Sequence, residues 1–258
     1  MSLNLLSRIK NKIKANQNYS KLQNEASIAI TQELSMYINK AKSFFEDIHE
    51  GMTVENHSEH NINPAYWNIL LRDIKNNPEN WSGKRALDFG CGCGRNIANL
   101  LSIAKWDNVD GCDISRYNAA YAKEFIKNKY PEANCLTWET TGYDISPIEH
   151  LEECPQKYDF IMSTITFVHI PSWEIRFNIL KSMYDSLNKG GMISISLSDL
   201  GDSVGYYDNY YDFPKNCRVE SAKYIYNDLK RIGFKNITIN NSTTFEDRKW
   251  YFAKATKG

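Results

Sequence analysis

Three glycines at alternate positions, Gly90, Gly92 and Gly94, separate the strand-like run RALDF from a helix-like stretch that begins near Arg95. A backbone this bare can turn sharply and let a ligand lie against its N–H groups. About twenty residues farther on, Asp113 ends the run NVDGCD, the spacing at which a nucleotide-binding turn keeps a carboxylate for ribose hydroxyls. The competing role for Asp113, capping the next helix, suits Ser115 better. Loop and acid together point to a ligand containing adenosine. The dinucleotide fingerprint G-x-G-x-x-G is not met, because the spacing is G-x-G-x-G and Arg95 stands where the third glycine belongs.

Other residues suit chemistry beside such a ligand. His169 lies in STITFVHIP, just past a strand-like run, where an imidazole can take a proton near neutral pH; holding the turn by hydrogen bonds is its competing role. His57 and His60 form H-x-x-H without the glutamate of H-E-x-x-H or a carboxylate set, so no metal site is expected, although their loop could reach a substrate. Cys91 and Cys93 are too close for a C-x-x-C pair and read as small buried side chains. Residues 199–218 make a long, tyrosine-rich connection at the end of the sheet where ligands sit. In it Tyr206, Tyr207, Tyr210 and Tyr211 offer rigid faces and hydroxyls, while Lys215 and Arg218 suit an anionic substrate. Tyrosines that merely cover an apolar lid would look the same.

The elements that must position these residues follow from periodicity. From Arg85, the short apolar runs RALDF, NVDGC, NCLTW, YDFIMS and GMISISLS alternate with stretches of helical period. That alternation implies an α/β fold with a doubly wound, Rossmann-like parallel sheet. The last two runs, KNITIN and WYFAKAT, are joined too briefly for a crossover and should pair antiparallel. Upstream, helices are expected from about Ile28 to Ile48 and from Pro64 to Ile74, after a weak basic amphipathic start at Leu5, Ile9 and Ile13. The expected division is an N-terminal helical extension or lid over 1–82 and a ligand-binding domain over 83–258, with the substrate insertion at 199–218.

Composition narrows the classes. The 31 Lys and Arg balance 31 Asp and Glu, which weighs against a protein that neutralises many nucleic-acid phosphates. Charges interrupt every apolar run, so no membrane insertion is expected. Cysteines inside the glycine loop and a buried strand suit reduced thiols and a cytoplasmic location.

At these motifs the sequence resembles the class I S-adenosylmethionine-dependent methyltransferases of small-molecule type. LDFGCGCG resembles their first motif, VDGCDIS their ribose-binding acid, KYDFIMSTITFVHIP their fourth-strand motif, and LNKGGMISISL their approach to the fifth strand. The resemblance runs from about Gly83 to the C-terminus and implies a seven-stranded sheet of order 3-2-1-4-5-7-6. It also implies S-adenosyl-L-methionine as cofactor. Asp88, Gly90, Cys91 and Gly92 would then lie along its methionine end, and Asp113 would take the ribose hydroxyls with Ile114 against the adenine. Thr141, Gly142 and Tyr143 would stand at the adenine edge, although Thr141 replaces the family's usual acid. Ser163 would stand near the cofactor, and Arg95 or Trp67 would hold the cofactor carboxylate. His169 remains the candidate base by its place after the fourth strand, while in relatives with a similar H-I-P turn the histidine often holds the loop by hydrogen bonds. The expected reaction is methyl transfer to oxygen or nitrogen of a small polar metabolite, such as a sugar, nucleotide-linked or phosphorylated precursor of a bacterial cell-surface polysaccharide. The alternatives are a nicotinamide-dependent oxidoreductase and a non-catalytic binding protein for the same cofactor.

Overall fold

A computed structural model describes residues 35–36, 38–43, 45–46, 68–148, 157–170, 173–199, 222–245 and 248–258. The chain separates into two compact units, Met1–Lys40 and Ala41–Gly258. The described residues of the first unit are helical. In the second unit Ile69, Leu70, Leu71 and Ile74 pack into the same core as the sheet.

In chain order the second unit runs α1 (Arg72–Asn76), a 3-10 turn (Pro78–Trp81), β1 (Arg85–Phe89), α2 (Arg95–Ile103), β2 (Asn108–Asp113), α3 (Arg116–Lys129) and β3 (Thr137–Glu139). It continues through β4 (Tyr158–Ser163), a 3-10 turn (Thr166–His169), α4 (Trp173–Ser186), β5 (Leu187–Asp199), α5 (Ala222–Ile232), β6 (Phe234–Phe245) and β7 (Arg248–Lys257). The sheet order is β3-β2-β1-β4-β5-β7-β6. The β1–β2, β1–β4, β2–β3 and β4–β5 pairs are parallel, whereas β7 runs antiparallel to both β5 and β6. The strand order expected from the resemblance and the antiparallel terminal pair are both present.

Four of the five residues of β1 are buried in succession, as a central parallel strand covered on both faces requires. Ala86 packs into the core with Ile97 and Leu100 of α2 and Ala122 and Ile126 of α3. Between β1 and β4 the strand order reverses, and it is beyond the carboxyl ends of such a pair that open α/β sheets take their ligands. Two boundaries differ from expectation. The strand expected at NCLTW is Thr137–Glu139, although Asn134 and Leu136 already give their carbonyls to the amides of Val109 and Gly111. The β6–β7 hairpin runs beyond KNITIN and WYFAKAT, because the backbones of Thr243 and Thr244 still pair with Trp250 and Lys249.

Candidate active site

The glycine loop, which continues from β1, is fastened to the end of β2. The Cys112 carbonyl accepts the Gly90 amide at 2.7 Å and the Cys91 amide at 3.1 Å. The Gly92 amide donates to Asp113 Oδ2 at 3.0 Å. Asp113 Oδ1 accepts the Ser115 amide at 2.9 Å and Asn118 Nδ2 at 3.1 Å. Ser115 is the N-cap of α3 and accepts the Asn118 amide, as its residue type and position foretold. A carboxylate has about four acceptor sites, so a ribose diol taking two of them on Asp113 competes with the Gly92 amide. Ile114, half-buried, follows directly.

Gly90 has a φ of 74°, and a Cβ built there would lie 2.0 Å from Thr166 Oγ1. The turn after β4 is thus keyed into the glycine loop. Gly92, with a φ of 51°, meets no atom within 4 Å at the same position. One glycine is required by the protein's own packing; the other borders open space where the sequence expects a ligand.

Asp88 is completely buried on β1, and neither carboxylate oxygen accepts a hydrogen bond. Burial pushes its carboxyl up to about 7, against the pull of the neighbouring Asn96 side chain and the Arg95 charge. Asn96, in the first turn of α2, is 5% exposed. Its Nδ2 donates to Thr164 Oγ1 at 2.9 Å, while its Oδ1 is buried and unbonded.

Two residues expected at the cofactor turn their side chains inward. Cys91 packs into the core, its Sγ 2.9 Å from where a Cβ on Gly111 would stand, so only its backbone faces the loop. Burial, with the Asp113 and Asp88 charges next, drives its thiol well above the usual range. Ser163 is fully buried and donates Oγ to the Phe89 carbonyl at 2.9 Å, tying β4 to β1. Cys93 is also buried, as expected.

Past β4, Ile165 takes a φ of 67°, unusual for a β-branched residue, and its amide donates to Ser196 Oγ at 2.8 Å. His169 ends the following 3-10 turn with its ring edge-on to Phe45, centroids 5.3 Å apart. Two ion pairs join the same N-terminal segment to neighbouring elements, Lys42 with Glu139 at the end of β3, and Glu46 with Arg116 at the start of α3 at 3.6 Å. Lys42, Phe45 and Glu46 therefore meet residues at or just past the carboxyl ends of β3, β4 and β2. No sequence signal marks those partners, which are ordinary surface types until folding joins them. Asn96 was legible in principle, as an amide on a helix face whose neighbours Ile97, Ala98 and Leu100 are apolar.

At the β3 end, the Thr140 amide donates to the Asp113 carbonyl at 2.8 Å, which brings Thr141, Gly142 and Tyr143 beside the acid. Thr140 Oγ1 and Thr141 Oγ1 accept the amides of Gly142 and Tyr143, so the loop is held by its own hydroxyls. Trp67, His57, His60, Tyr206, Tyr207, Tyr210, Tyr211, Lys215 and Arg218 lie outside the described residues. Among the described residues, no cluster of three His, Cys, Asp or Glu side chains could hold a metal. No described helix is long and apolar enough to cross a membrane.

The model of a family described as a methyltransferase domain matches residues 65–239. No curated protein matches the chain by sequence. Among solved structures, phosphoethanolamine N-methyltransferase 2 of Haemonchus contortus, in complex with phosphomonomethylethanolamine and S-adenosylhomocysteine, is similar with a TM-score of 0.58 and 20% identity. The match covers 76% of this chain and 54% of that one, so this chain spans about half its length. Magnesium protoporphyrin IX methyltransferase of Synechocystis PCC 6803, with S-adenosylhomocysteine bound, has a TM-score of 0.57 and 15% identity, over 84% of this chain and 100% of that one. The [4+2]-cyclase SpnF has a TM-score of 0.55 and 13% identity, over 73% and 79%. At these identities the likeness is one of fold, which two of these neighbours use for methyl transfer and the third for a cyclisation.

Proposed function

This chain belongs to the methyltransferase domain family, and we propose that it moves a methyl group from S-adenosylmethionine to an oxygen or nitrogen of a small polar metabolite. Its fold is the class I fold of the S-adenosylmethionine-dependent methyltransferases. The observation that carries the proposal is Asp88, a buried carboxylate without hydrogen bonds at the switch point, with Gly92 open and Asp113 on the adjoining strand end. That donor set fits the cofactor. Asp88 would face its ammonium, the Gly90–Gly92 backbone its methionine chain, Asp113 its ribose and Ile114 its adenine. Arg95 and Trp67 would hold its carboxylate, with Thr141, Gly142 and Tyr143 along the adenine edge.

When bound, the cofactor supplies an electrophilic methyl group on a sulfonium. The chain's own task is alignment, since an in-line displacement gains most from holding the two partners close. The turn keyed by Thr166 into Gly90 fixes His169 relative to the glycine loop. His169 Nδ1 is buried, so Nε2 is the atom that would receive the acceptor's proton. Tyr206, Tyr207, Tyr210 and Tyr211, with His57 and His60, would line the acceptor pocket, and Lys215 and Arg218 would hold an anionic group. A sugar, nucleotide-linked or phosphorylated precursor of a bacterial cell-surface polysaccharide suits those groups, and the enzyme would work in the cytoplasm. Balanced charge supports a small acceptor over a polyanion.

Incubation with methyl-tritiated S-adenosylmethionine and fractionated cell extract tests the reading. Label should enter compounds that pass a small-molecule filter. Label confined to nucleic acid or protein would overturn the small acceptor, and its absence from every fraction would overturn methyl transfer.

A further inference from the structure

The loop that follows β3 leaves the sheet at Thr140 and returns at Ile148, whose amide donates to the Glu139 carbonyl at 3.0 Å. Between those two residues only Ile145 is buried, so little apolar packing holds the tip. Its polar side chains are turned on its own backbone. Thr140 and Thr141 Oγ1 accept the Gly142 and Tyr143 amides, and Asp144 Oδ1 accepts the Ser146 amide at 2.9 Å. What the tip offers a ligand is therefore chiefly backbone N–H and C=O. Such groups cannot pivot toward a ligand, and they recognise one only if the chain is held still.

The hold comes from α4. Asn178 Nδ2 donates to the Tyr143 carbonyl at 2.8 Å, and Ser182 Oγ accepts the Ile145 amide at 3.4 Å. Four residues apart, the two side chains share one face of the helix and grip the chain on either side of Asp144. The helix is itself fixed, by buried Ile175, Ile179, Leu180 and Met183 and by Arg176, whose Nη1 donates to the Ile170 carbonyl at 2.7 Å. Asn178 and Ser182 are only half-buried, so the core does not depend on them. With the methionine end proposed at the glycine loop after β1 and the ribose at Asp113 on β2, the base continues toward β3. There the Thr140 amide is bonded to the Asp113 carbonyl, and this loop is the neighbour it meets.

Resting on the cofactor reading above, we infer that Asn178 and Ser182 are positioning residues that hold the Tyr143–Ile145 backbone where it reads the purine edge, and so set the preference for a 6-amino over a 6-oxo purine.

Calorimetric titration of the full chain with S-adenosylhomocysteine and with S-inosylhomocysteine tests this. The second compound carries a 6-oxo group, which turns the donor at that position into an acceptor and leaves the ribose and amino-acid end as they are. The parent should prefer S-adenosylhomocysteine about tenfold or more, since the reversed edge leaves fixed backbone groups unpaired. The double variant Asn178→Ala, Ser182→Ala should bring that preference to within about twofold by weakening S-adenosylhomocysteine alone. Unchanged affinity for S-inosylhomocysteine also shows that the variant is folded. Asn178→Ala by itself should narrow the preference about threefold, and it carries the test if the double variant does not fold. A loop tie with no part in recognition would leave the preference as it is in the parent, whether or not affinity falls, and that result overturns the inference. So does a parent that binds both compounds equally, which leaves the cofactor reading intact. If the parent binds neither compound, the cofactor reading falls and the inference with it.

Discussion

Gly90→Ala places a methyl group at the tightest contact of the loop. The new Cβ would stand 2.0 Å from Thr166 Oγ1, 2.6 Å from its Cγ2 and 2.7 Å from its Cβ, far inside the ordinary separation of about 3.5–4.0 Å. Overpacking of this kind costs about 1–3 kcal/mol. The φ of 74° adds about 1 kcal/mol for a residue with a Cβ in the left-handed region. The sum, about 2–4 kcal/mol, should lower Tm by roughly 5–15 °C for a chain of this size. Thr166→Ala removes Oγ1 and Cγ2 but leaves the 2.7 Å contact, so it should rescue Gly90→Ala only in part. Thr166→Gly clears the space and should leave only the conformational cost. Gly92→Ala, two residues on, meets no atom within 4 Å and should cost about 1 kcal/mol, yet it should weaken S-adenosylhomocysteine binding because its methyl enters the expected path of the ligand. Urea unfolding of parent, Gly90→Ala, Thr166→Gly and the double variant measures the coupling. If the two changes add within about 0.5 kcal/mol, the Gly90–Thr166 contact does not limit the loop and the reasoning fails.

Asp113→Asn should weaken S-adenosylhomocysteine more than tenfold by calorimetry, since charge-assisted hydrogen bonds to hydroxyls are worth about 1.5–3 kcal/mol; unchanged affinity would remove the ribose assignment. It should also destabilise the protein, because the Gly92 and Ser115 amides and Asn118 all donate to this carboxylate. Burial raises the Asp88 carboxyl from its ordinary 3.8 to about 7 in the folded protein, so its contribution is full below about pH 4 and is lost as pH rises through 7. That loss is on the order of 4 kcal/mol, with Asp110, raised to about 6 chiefly by burial, adding in the same direction. Asp88→Asn should therefore be more stable than the parent at pH 8 and close to it at pH 4 in urea titrations; the same difference at both pH values would contradict the burial argument. Ser115→Ala removes the cap of α3 and should cost about 1 kcal/mol in the same assay, and no loss would show the cap to be idle.

The sheet order was legible because each parallel strand is a short apolar run bounded by turn residues and helical period. The far end of the β6–β7 hairpin was not, since NNSTTFEDRK is polar apart from Phe245 and only backbone pairing with Trp250 and Lys249 extends the strands. Among site residues, Asp88, Gly90, Gly92 and Asp113 could be read because spacing alone puts them at adjoining strand ends. Nearness in sequence does not say which way a side chain points. Cys91 and Ser163 show this, one packed against Gly111 and the other bonded to the Phe89 carbonyl. Lys42, Phe45 and Glu46 escaped notice because an amphipathic helix does not name its partners, and Glu139, Arg116 and His169 come to them from β3, α3 and the turn after β4.

A crystal structure with S-adenosylhomocysteine bound tests the central claim most directly. The nucleoside should lie at the carboxyl ends of β1 and β2, its ribose hydroxyls within hydrogen-bond distance of Asp113 and its ammonium against Asp88, with the sulfur facing the turn that carries His169. A ligand bound elsewhere on the protein, or one in the crevice whose ribose does not touch Asp113, would contradict the account.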